Sequence, residues 1–393
     1  MLFGEIMKAT KQPLNFIDLF SGAGGLSCGL EMAGLKCLLG VDFDRDAIKT
    51  FKKNHPKSET FCGDINKLKS DEIAKLTNHQ KVHLVAGGPP CQGFSTVGKG
   101  NPNDMRNKLF KQFIRVVKDF NPEFVVMENV TGLMAKKNEK SLQSIIKLFN
   151  KLGYNIDVNI LSSQNYGVAE KRRRTIFICS RINNKISFPE ITHFDHPTLK
   201  RHKYTNTVAD ALSDLSTKNG LIHNHDIQLA LIKNPIDLKR IKRIPEGKGI
   251  RYERDEKAYL TKSLKLDIDW EKTPENRLRQ TKYQRLDSSR PSPTIMTHRH
   301  NYYHPRENRF LTQREAASIQ SFPNSFVFFG SVTSQWRQIG NAVPPLLGKS
   351  IGRAINLMYN SSNKNVKIDS ISKFKSEIIQ KRGRAFKYIE KSL

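Results

Sequence analysis

One cysteine stands in a setting suited to nucleophilic chemistry. Cys91 lies in residues 87–95, GGPPCQGFS, directly after an apolar run at 83–86 that is typical of a buried strand. Enzymes built on parallel sheets place nucleophiles on such loops, at the carboxyl ends of strands. The two prolines restrict the loop, and N–H groups of the following turn could lower the pKa of the thiol. The other four cysteines are expected to be buried structural thiols: Cys28, Cys37, Cys62 and Cys179.

A carboxylate follows a second apolar run. Glu128 comes directly after residues 124–127, FVVM, and is followed by Asn129 and Val130. If this strand neighbours the strand before Cys91, the carboxylate faces the same crevice and could share a proton with a heterocyclic substrate. An isolated Glu after a strand is usually a helix cap or a solvated end, so this hypothesis depends on Cys91.

A glycine-rich turn at residues 18–26, DLFSGAGGL, indicates a ligand site. Such a turn between a strand and a helix lets a ligand approach backbone N–H groups. Asp42 follows at the end of the next predicted strand, about 20 residues on, where it could accept hydrogen bonds from ribose hydroxyls. Phe43 could stack on an adenine. A dinucleotide, a nucleoside and a plain tight turn all fit this pattern, whereas a P-loop lacks its Gly-Lys-Ser/Thr.

The elements around these residues alternate as in a parallel α/β sheet. Apolar runs predict strands at 16–20, 37–41, 83–86, 124–127 and 175–179, and amphipathic spacing predicts helices at 25–34, 45–54 and 141–152. This rhythm stops near residue 188. Irregular basic sequence follows, too long for a loop, so we expect a second, smaller domain. A helix resumes after Thr312, which can form a capping box with Glu315.

Composition points to a polyanionic partner. The 393 residues include 66 Lys and Arg against 37 Asp and Glu, a formal net charge of +29. Nucleic acid is the partner that this excess favours, with a merely basic soluble surface as the alternative. No run approaches the roughly 18 apolar residues of a membrane span, and residues 1–11 do not read as a secretory signal. Five cysteines without a CxxC pair indicate a reducing compartment and no structural zinc.

Several motifs occur in the order found in one family. They are PPCQGFS at 89–95, ENV at 128–130, QNYGV with RRR within 164–174, and QIGNAVPP at 338–345. Weaker matches occur at 104–110, 290–294 and 311–315. From about Phe16 to Ile351 the chain resembles the DNA (cytosine-5) methyltransferases, of the bacterial restriction–modification type. The resemblance implies an α/β fold in which a Rossmann-like S-adenosylmethionine-dependent methyltransferase domain carries a smaller target-recognition domain.

The resemblance also implies a set of site residues. The catalytic residues would be Cys91, Glu128, Arg172 and Arg174. The residues that hold S-adenosylmethionine would be Phe20, Gly22, Gly24, Gly25, Asp42, Phe43, Asp64, Ile65, Pro90 and Asn341. The family often has Glu where Asp42 stands. No metal is implied, and no ligand cluster for one is visible in the sequence.

The same resemblance implies the domain limits and the partners. Residues 1–189, completed by 335–393, would form the catalytic domain, 190–309 the target-recognition domain, and 310–334 a connector. Double-stranded DNA would be the substrate of a monomer in a bacterial cytoplasm, with no membrane partner, and a restriction endonuclease would act on the same site. Candidates to read guanine edges or grip phosphates are Arg251, Arg254, Arg277 and Arg285.

Other readings remain open at this point. A relative of the family methylates cytosine in transfer RNA, but its motif usually continues Gln-Pro-Phe-Thr where this chain has residues 92–95, QGFS. A non-catalytic DNA-binding relative would be expected to lose Cys91 or Glu128. A Rossmann dehydrogenase would leave the basic segment and the Pro-Pro-Cys loop unexplained.

Overall fold

The computed structural model describes residues 12–90, 105–135, 138–183, 185–213, 215, 222–298 and 302–362, without the side chains of 105–107. Cys91 and the loop after it lie outside the described residues. The chain divides into two compact units. The first comprises the chain up to Ser162, Arg173–Glu190 and the chain from Leu347; the second comprises Ser163–Arg172 and Ile191–Leu346.

The boundaries of the two units differ from those of the predicted domains at two places. Ser163–Arg172 belongs to the second unit because its backbone pairs there: Lys171 donates to the carbonyl of Ser292, and the N–H of Ser292 donates to the carbonyl of Ala169. Residues 335–346 also lie in the second unit. The functional limits of the domains stay a prediction.

The first unit is built on a seven-stranded sheet in the order β3-β2-β1-β4-β5-β7-β6. Its strands are β1 (Asn15–Leu19), β2 (Lys36–Asp42), β3 (Glu59–Cys62), β4 (Leu84–Gly87), β5 (Phe124–Val130), β6 (Asn155–Ser162) and β7 (Arg173–Ser180). Strands β1 to β5 are parallel, and β7 runs antiparallel to both β5 and β6. The predicted α/β fold and its five predicted strands are confirmed.

Helices cover this sheet, and their sequences explain where they begin and which face they bury. They are α1 (Gly25–Met32), α2 (Arg45–Asn54), α3 (Ser70–Leu76), α4 (Met105–Phe120), α5 (Glu139–Lys151) and α12 (Pro345–Asn360). The Asp44 carboxylate caps α2 by accepting from the N–H groups of Asp46 and Ala47. One stripe of α5, Leu142, Ile145, Ile146 and Phe149, is buried in the core.

The second unit contains only short elements. They are β8 (His193–Phe194), β9 (Lys203–Tyr204), α6 (Val208–Ser213), α7 (Ile227–Ala230), α8 (Pro235–Arg243), β10 (Ile250–Tyr252), α9 (Glu253–Tyr259), β11 (Arg277–Lys282), α10 (Gln313–Ile319) and α11 (Val332–Asn341). The predicted capping box is confirmed: Thr312 accepts from the Glu315 N–H, and the Glu315 carboxylate accepts from the Thr312 N–H. Among the helices that the structure describes, none has the length and apolarity to cross a bilayer.

Arg285 is part of a core in the second unit, so its predicted role as a base reader is wrong. The residue is 4% exposed and lies beside Ile241 and Ile244. Its guanidinium donates to five oxygens: the carbonyls of Ile241, Ile244, His304 and Glu307, and the side-chain oxygen of Asn308. Because these oxygens occupy the guanidinium, the side chain stabilises a loop and presents no charge to a ligand.

Candidate active site

The carboxyl edge of the sheet gathers the predicted residues of the first unit. Strands β2, β1, β4 and β5 lie side by side and parallel, so their carboxyl ends meet at one edge. Phe20, Asp42, Gly88 and Glu128 lie at these ends. The chain order along the sheet reverses between β1 and β4, and ligands of open α/β sheets bind at such a switch point.

The turn after β1 requires glycine at Gly24, the residue before α1. Its φ of 92° lies in the left-handed region. A Cβ at this position would also overlap the imidazole of His55, which is 2% exposed. His55 is held in turn by Glu31, whose Oε2 lies 2.6 Å from Nδ1. The buried imidazole of His55 therefore packs against the backbone of this turn and restricts it. Sequence reasoning missed this role of His55.

Asp42 joins the end of β2 to this turn. One carboxylate oxygen accepts from the Gly22 N–H at 2.8 Å, and the other accepts from the Asp44 N–H at 2.9 Å. Burial raises the pKa of Asp42, although these hydrogen bonds act in the opposite direction. Each oxygen keeps a second lone pair, so the carboxylate can still accept a ribose hydroxyl. Its structural role in the turn was not predicted.

The surroundings of Asp42 fit the adenosine part of S-adenosylmethionine. The Phe43 ring is 78% exposed although it is large and apolar, so one face is free to stack on a base. The Ser21 hydroxyl is buried and has no hydrogen-bond partner among the residues that the structure describes. A side chain at Gly22 would point into open space. A bound nucleoside could give the Ser21 hydroxyl a hydrogen-bond partner, fill the open space at Gly22 and cover the exposed Phe43 ring.

Two further residues predicted to hold the cofactor differ in their exposure. Asp64 is exposed and accepts from both the backbone and the side-chain amide of Asn66, which lowers the pKa of its carboxyl. The Ile65 side chain is 3% exposed and packs in the sheet core, so only its main chain could contact a ligand. Gly25 is the buried first residue of α1.

Beneath the same turn lies an acid that sequence reasoning did not single out. Asp18 on β1 is 1% exposed, and its Oδ2 accepts the hydroxyl of Ser27 at 2.6 Å. Burial raises the pKa of this carboxyl to about 6. Asp18 therefore gains or loses its charge close to neutral pH.

The Glu128 carboxylate forms an ion pair with Arg174. Arg174 Nε lies 2.7 Å from Glu128 Oε1, and each side chain is 15% exposed. The pair forms because β5 and β7 are antiparallel neighbours whose register sets Val130 opposite Arg174. The other oxygen, Oε2, lies against Gly88 at the end of β4. The carboxylate is thus held between two strands, with its orientation set by the guanidinium.

Asn129 fixes the loop that leads to Cys91. Its side-chain amide donates to the carbonyl of Pro89 at 3.0 Å, and this contact is buried. Pro90 follows and is half-buried. The condition set for the role of Glu128, that its strand neighbours the strand before Cys91, is met, because β4 and β5 pair in parallel. The positioning role of Asn129 was missed, although its place beside Glu128 in the ENV motif was a signal.

Arg172 belongs to the second unit and is fully buried there with Glu170. Its guanidinium donates to the carbonyls of Gly340 at 2.7 Å and Ile295 at 3.3 Å. Glu170 accepts the N–H of Ile295 at 2.6 Å. A Cβ at Gly340 would lie 2.6 Å from the backbone of Met296, so this close approach needs glycine.

These contacts also affect the position of Asn341, another predicted site residue. Arg172 supports the backbone directly before Asn341, which is the exposed last residue of α11. The structure thus brings Glu128, Arg174 and the turn residues into the first unit, and Arg172 and Asn341 into the second.

The remaining cysteines are not alike, and the expectation for one of them is wrong. Cys37 and Cys179 are buried, and burial raises the pKa of both thiols. Cys28 is half-buried, with a pKa raised to about 12 by burial. Cys62 is exposed because it ends β3, which lies at the edge of the sheet. Within the described ranges, no group of three or more His, Cys, Asp or Glu side chains is placed to hold a metal ion.

A largely parallel α/β sheet, with a glycine turn at its switch point and the Glu128–Arg174 pair at the same edge, places the chain in the class of Rossmann-like enzymes. The family model for C-5 cytosine-specific DNA methylases matches residues 14–357, and the chain belongs to this family. The predicted family and activity are thereby confirmed, and S-adenosylmethionine is the methyl donor that a methyltransferase family implies.

Individual relatives support the same assignment. The chain is 36% identical over 349 residues to Type II methyltransferase M1.HphI of Haemophilus parahaemolyticus, covering 87% of this chain and 86% of the relative. It is 31% identical over 388 residues to Type II methyltransferase M.DdeI of Desulfomicrobium norvegicum, covering 89% and 90%.

Solved structures show the same fold. A crystal structure described as a DNA modification methyltransferase encoded within an E. coli prophage has a TM-score of 0.65 and 26% identity, covering 88% of this chain and 99% of that one. The S. pombe Dnmt2 methyltransferase has a TM-score of 0.58 at 17% identity, covering 89% and 99%, and shows the fold alone.

Proposed function

We propose that this enzyme methylates C5 of one cytosine within a short, specific sequence of duplex DNA, with Cys91 as the nucleophile. The observation that carries the proposal is the position of Glu128. Arg174 holds its carboxylate on a strand paired in parallel with the strand that leads into Pro89, Pro90 and Cys91. Asn129, its neighbour, fixes the same loop through the carbonyl of Pro89.

The residue types fit the chemistry that cytosine requires. Its C5 is too weakly nucleophilic to accept a methyl group unaided. Addition of the Cys91 thiolate to C6 converts the ring to an enamine, whose C5 is nucleophilic. Glu128 shares a proton with N3 and accepts from the exocyclic amino group as the adduct forms, and Arg174 keeps the carboxyl group in place. When bound, S-adenosylmethionine would supply an electrophilic methyl group to C5 and would be left as S-adenosylhomocysteine. Loss of the C5 proton and elimination of Cys91 then restore the aromatic ring.

The cofactor residues proposed on the first unit are supported by the turn itself. Asp42 and Phe43 would hold the ribose and the adenine, and the turn that contains Gly22 and Gly24, which Asp42 keeps in shape, would face the donor. Phe20, Gly25, Asp64, the main chain of Ile65, and Pro90 line the same sheet edge in the proposal. Asn341 is proposed to complete the donor site, and no metal takes part.

Recognition of DNA is proposed for the second unit. The target cytosine is stacked within the duplex, so it must rotate out before Cys91 can reach C6. Arg172 is proposed to act as a positioning residue, because its guanidinium binds backbone carbonyls and is fully buried. We also propose that the enzyme is a monomer of the bacterial cytoplasm that protects DNA from a restriction endonuclease. The names of its relatives, type II methyltransferases, support this setting.

Bisulfite sequencing of plasmid DNA from a methylation-free host tests the proposal. Expression of the chain should protect one cytosine in one short sequence from conversion by bisulfite. Cys91→Ser should remove the protection while DNA binding persists, and Glu128→Gln should lower turnover by about 10²–10⁴-fold. A plasmid with no protected cytosine would contradict the proposed substrate. Protection that survives Cys91→Ser would contradict the nucleophile.

A further inference from the structure

A cavity of about 790 Å³ lies within the second unit, between the segment that begins α8 and the strand β11. Its lining runs over Leu231–Asn234 and Leu278–Tyr283 and includes Tyr303 and Phe310. Ile232, Tyr303 and Phe310 are at most 9% exposed, and they belong to the local hydrophobic core. The cavity therefore has an apolar floor that is part of the fold, and its polar groups lie on the two segments beside it.

The charges of this lining are unbalanced. Asp237 is its one acid, and its Oδ1 accepts the Tyr283 hydroxyl at 2.5 Å and a guanidinium N–H of Arg240 at 3.3 Å. Lys233, Arg279 and Lys282 are the cations of the lining, and all three are exposed.

None of these three cations makes a side-chain hydrogen bond or ion pair with any residue that the structure describes. Their positive charges are therefore offset only by solvent, and the cavity is a local anion-attracting surface on a chain of net charge +29.

The backbone beside the cavity has the form of a DNA-reading element. Among the residues that the structure describes, β11 pairs only with the three-residue strand β10, which makes a short two-stranded antiparallel ribbon. A ribbon of this size fits the major groove of B-DNA. On β11, Arg279 and Gln280 are adjacent and exposed, and their side chains leave opposite faces of the ribbon. Arginine pairs with the N7 and O6 of guanine and glutamine with adenine, whereas lysine suits phosphate as a point charge.

We propose that β11 and the cavity beside it bind the duplex that flanks the target cytosine. Arg279 and Gln280 read base edges, and Lys233 and Lys282 hold phosphates. The inference rests on the proposed function and assigns its sequence discrimination to one strand. Arg277 on the same strand differs from them, because its Nε donates to the Glu275 carboxylate at 2.5 Å and part of its charge is already offset. Arg277 therefore provides a matched control.

The test uses full-length chains carrying Arg279→Gln, Gln280→Ala, Lys233→Gln or the control Arg277→Gln. Bisulfite sequencing of host DNA gives the methylated sequence, and titration of cognate and altered duplexes at several salt concentrations gives affinity. Arg279→Gln and Gln280→Ala should each relax the sequence at one position and weaken cognate binding roughly 5–150-fold. Lys233→Gln should weaken all duplexes alike and reduce the salt slope by about 0.9. Arg277→Gln should keep the methylated sequence and the DNA affinity of the wild type.

The outcomes separate this inference from the proposed function. If the wild-type chain methylates one sequence and all three test variants match Arg277→Gln in pattern and affinity, the inference is overturned and the proposed function stands. If the wild-type chain modifies no cytosine, the proposed function fails, and the titrations decide the inference: Lys233→Gln and Arg279→Gln must still bind duplex DNA more weakly than Arg277→Gln. Thermal melts of each variant should match the wild type, because the substituted side chains are exposed.

Discussion

Gly88→Ala adds one methyl group beside Glu128, and the loss of catalytic rate that it should cause can be calculated from the structure. A methyl group at Gly88 would lie 3.0 Å from Glu128 Oε2, where ordinary contacts begin near 3.4 Å. The carboxylate must therefore move by about 0.4 Å, while Arg174 restrains its other oxygen. A 1 Å misplacement costs about 10²-fold in rate, so a proportional loss here is roughly sixfold, or about 1 kcal/mol of transition-state stabilisation. Folding should change little, since Gly→Ala also reduces the entropy of the unfolded chain.

The assay is single-turnover transfer of a labelled methyl group to duplex DNA, with DNA affinity measured separately. The rate of the chemical step should fall, and the dissociation constant for DNA should not change. Gly132→Ala is the matched control, because a methyl group at Gly132, just after β5, would meet no atom within 4 Å. Equal single-turnover rates for the two alanine variants would refute the reasoning that Glu128 must hold its observed position.

Other substitutions test the remaining contacts. Arg172→Met should destabilise the second unit by about 3–5 kcal/mol, since it removes a buried charge pair, whereas Arg173→Met should stay within about 0.5 kcal/mol; hydrogen exchange across residues 338–341 measures the difference. Asp42→Asn keeps an acceptor for only one of two N–H groups and should weaken S-adenosylmethionine binding roughly tenfold or more by calorimetry; unchanged affinity would contradict its assigned role. The pKa of Asp18 is raised from 3.8 to about 6, so the folded chain keeps the carboxyl proton to a higher pH than the unfolded chain does. The stability of the wild type relative to Asp18→Asn should therefore fall by up to roughly 3 kcal/mol as pH rises from about 4 to 6, and urea midpoints at both ends would show it.

The sheet could be predicted because its strands are buried on both faces and therefore appear as continuous apolar runs. The strand β6 was missed, although Ile156 and Val158 alternate with Asp157 and Asn159 along it. That alternation is typical of a strand, but the segment contains too few consecutive apolar residues to stand out. The order β5-β7-β6 depends on the pairing of β5 with β7, about 50 residues later in the chain, which local pattern does not encode.

Site residues could be predicted where the residue type and its neighbours in sequence indicate the chemistry. They could not be predicted where contacts with backbone far away in sequence determine the role of a side chain. Glu128 follows an apolar strand and could be found from sequence alone. Arg285 is an arginine in a basic segment, and arginine is usually exposed. Its burial depends on carbonyls that converge from positions 19 to 44 residues away. His55 beneath the glycine turn is equally invisible, because its contact with Gly24 depends on the packing of α1 against α2.

The interleaving of the two units has a consequence for the order of synthesis. The first unit contains chain from both sides of the second, and α12 joins it late: Asn356 donates to the carbonyl of Ala33, and Asn183 donates to the carbonyl of Met358. A ribosome must therefore have translated the whole second unit before the first unit can close. The nascent chain therefore cannot contain a finished first unit, with the proposed catalytic residues, unless the unit proposed to choose the sequence has also been synthesised.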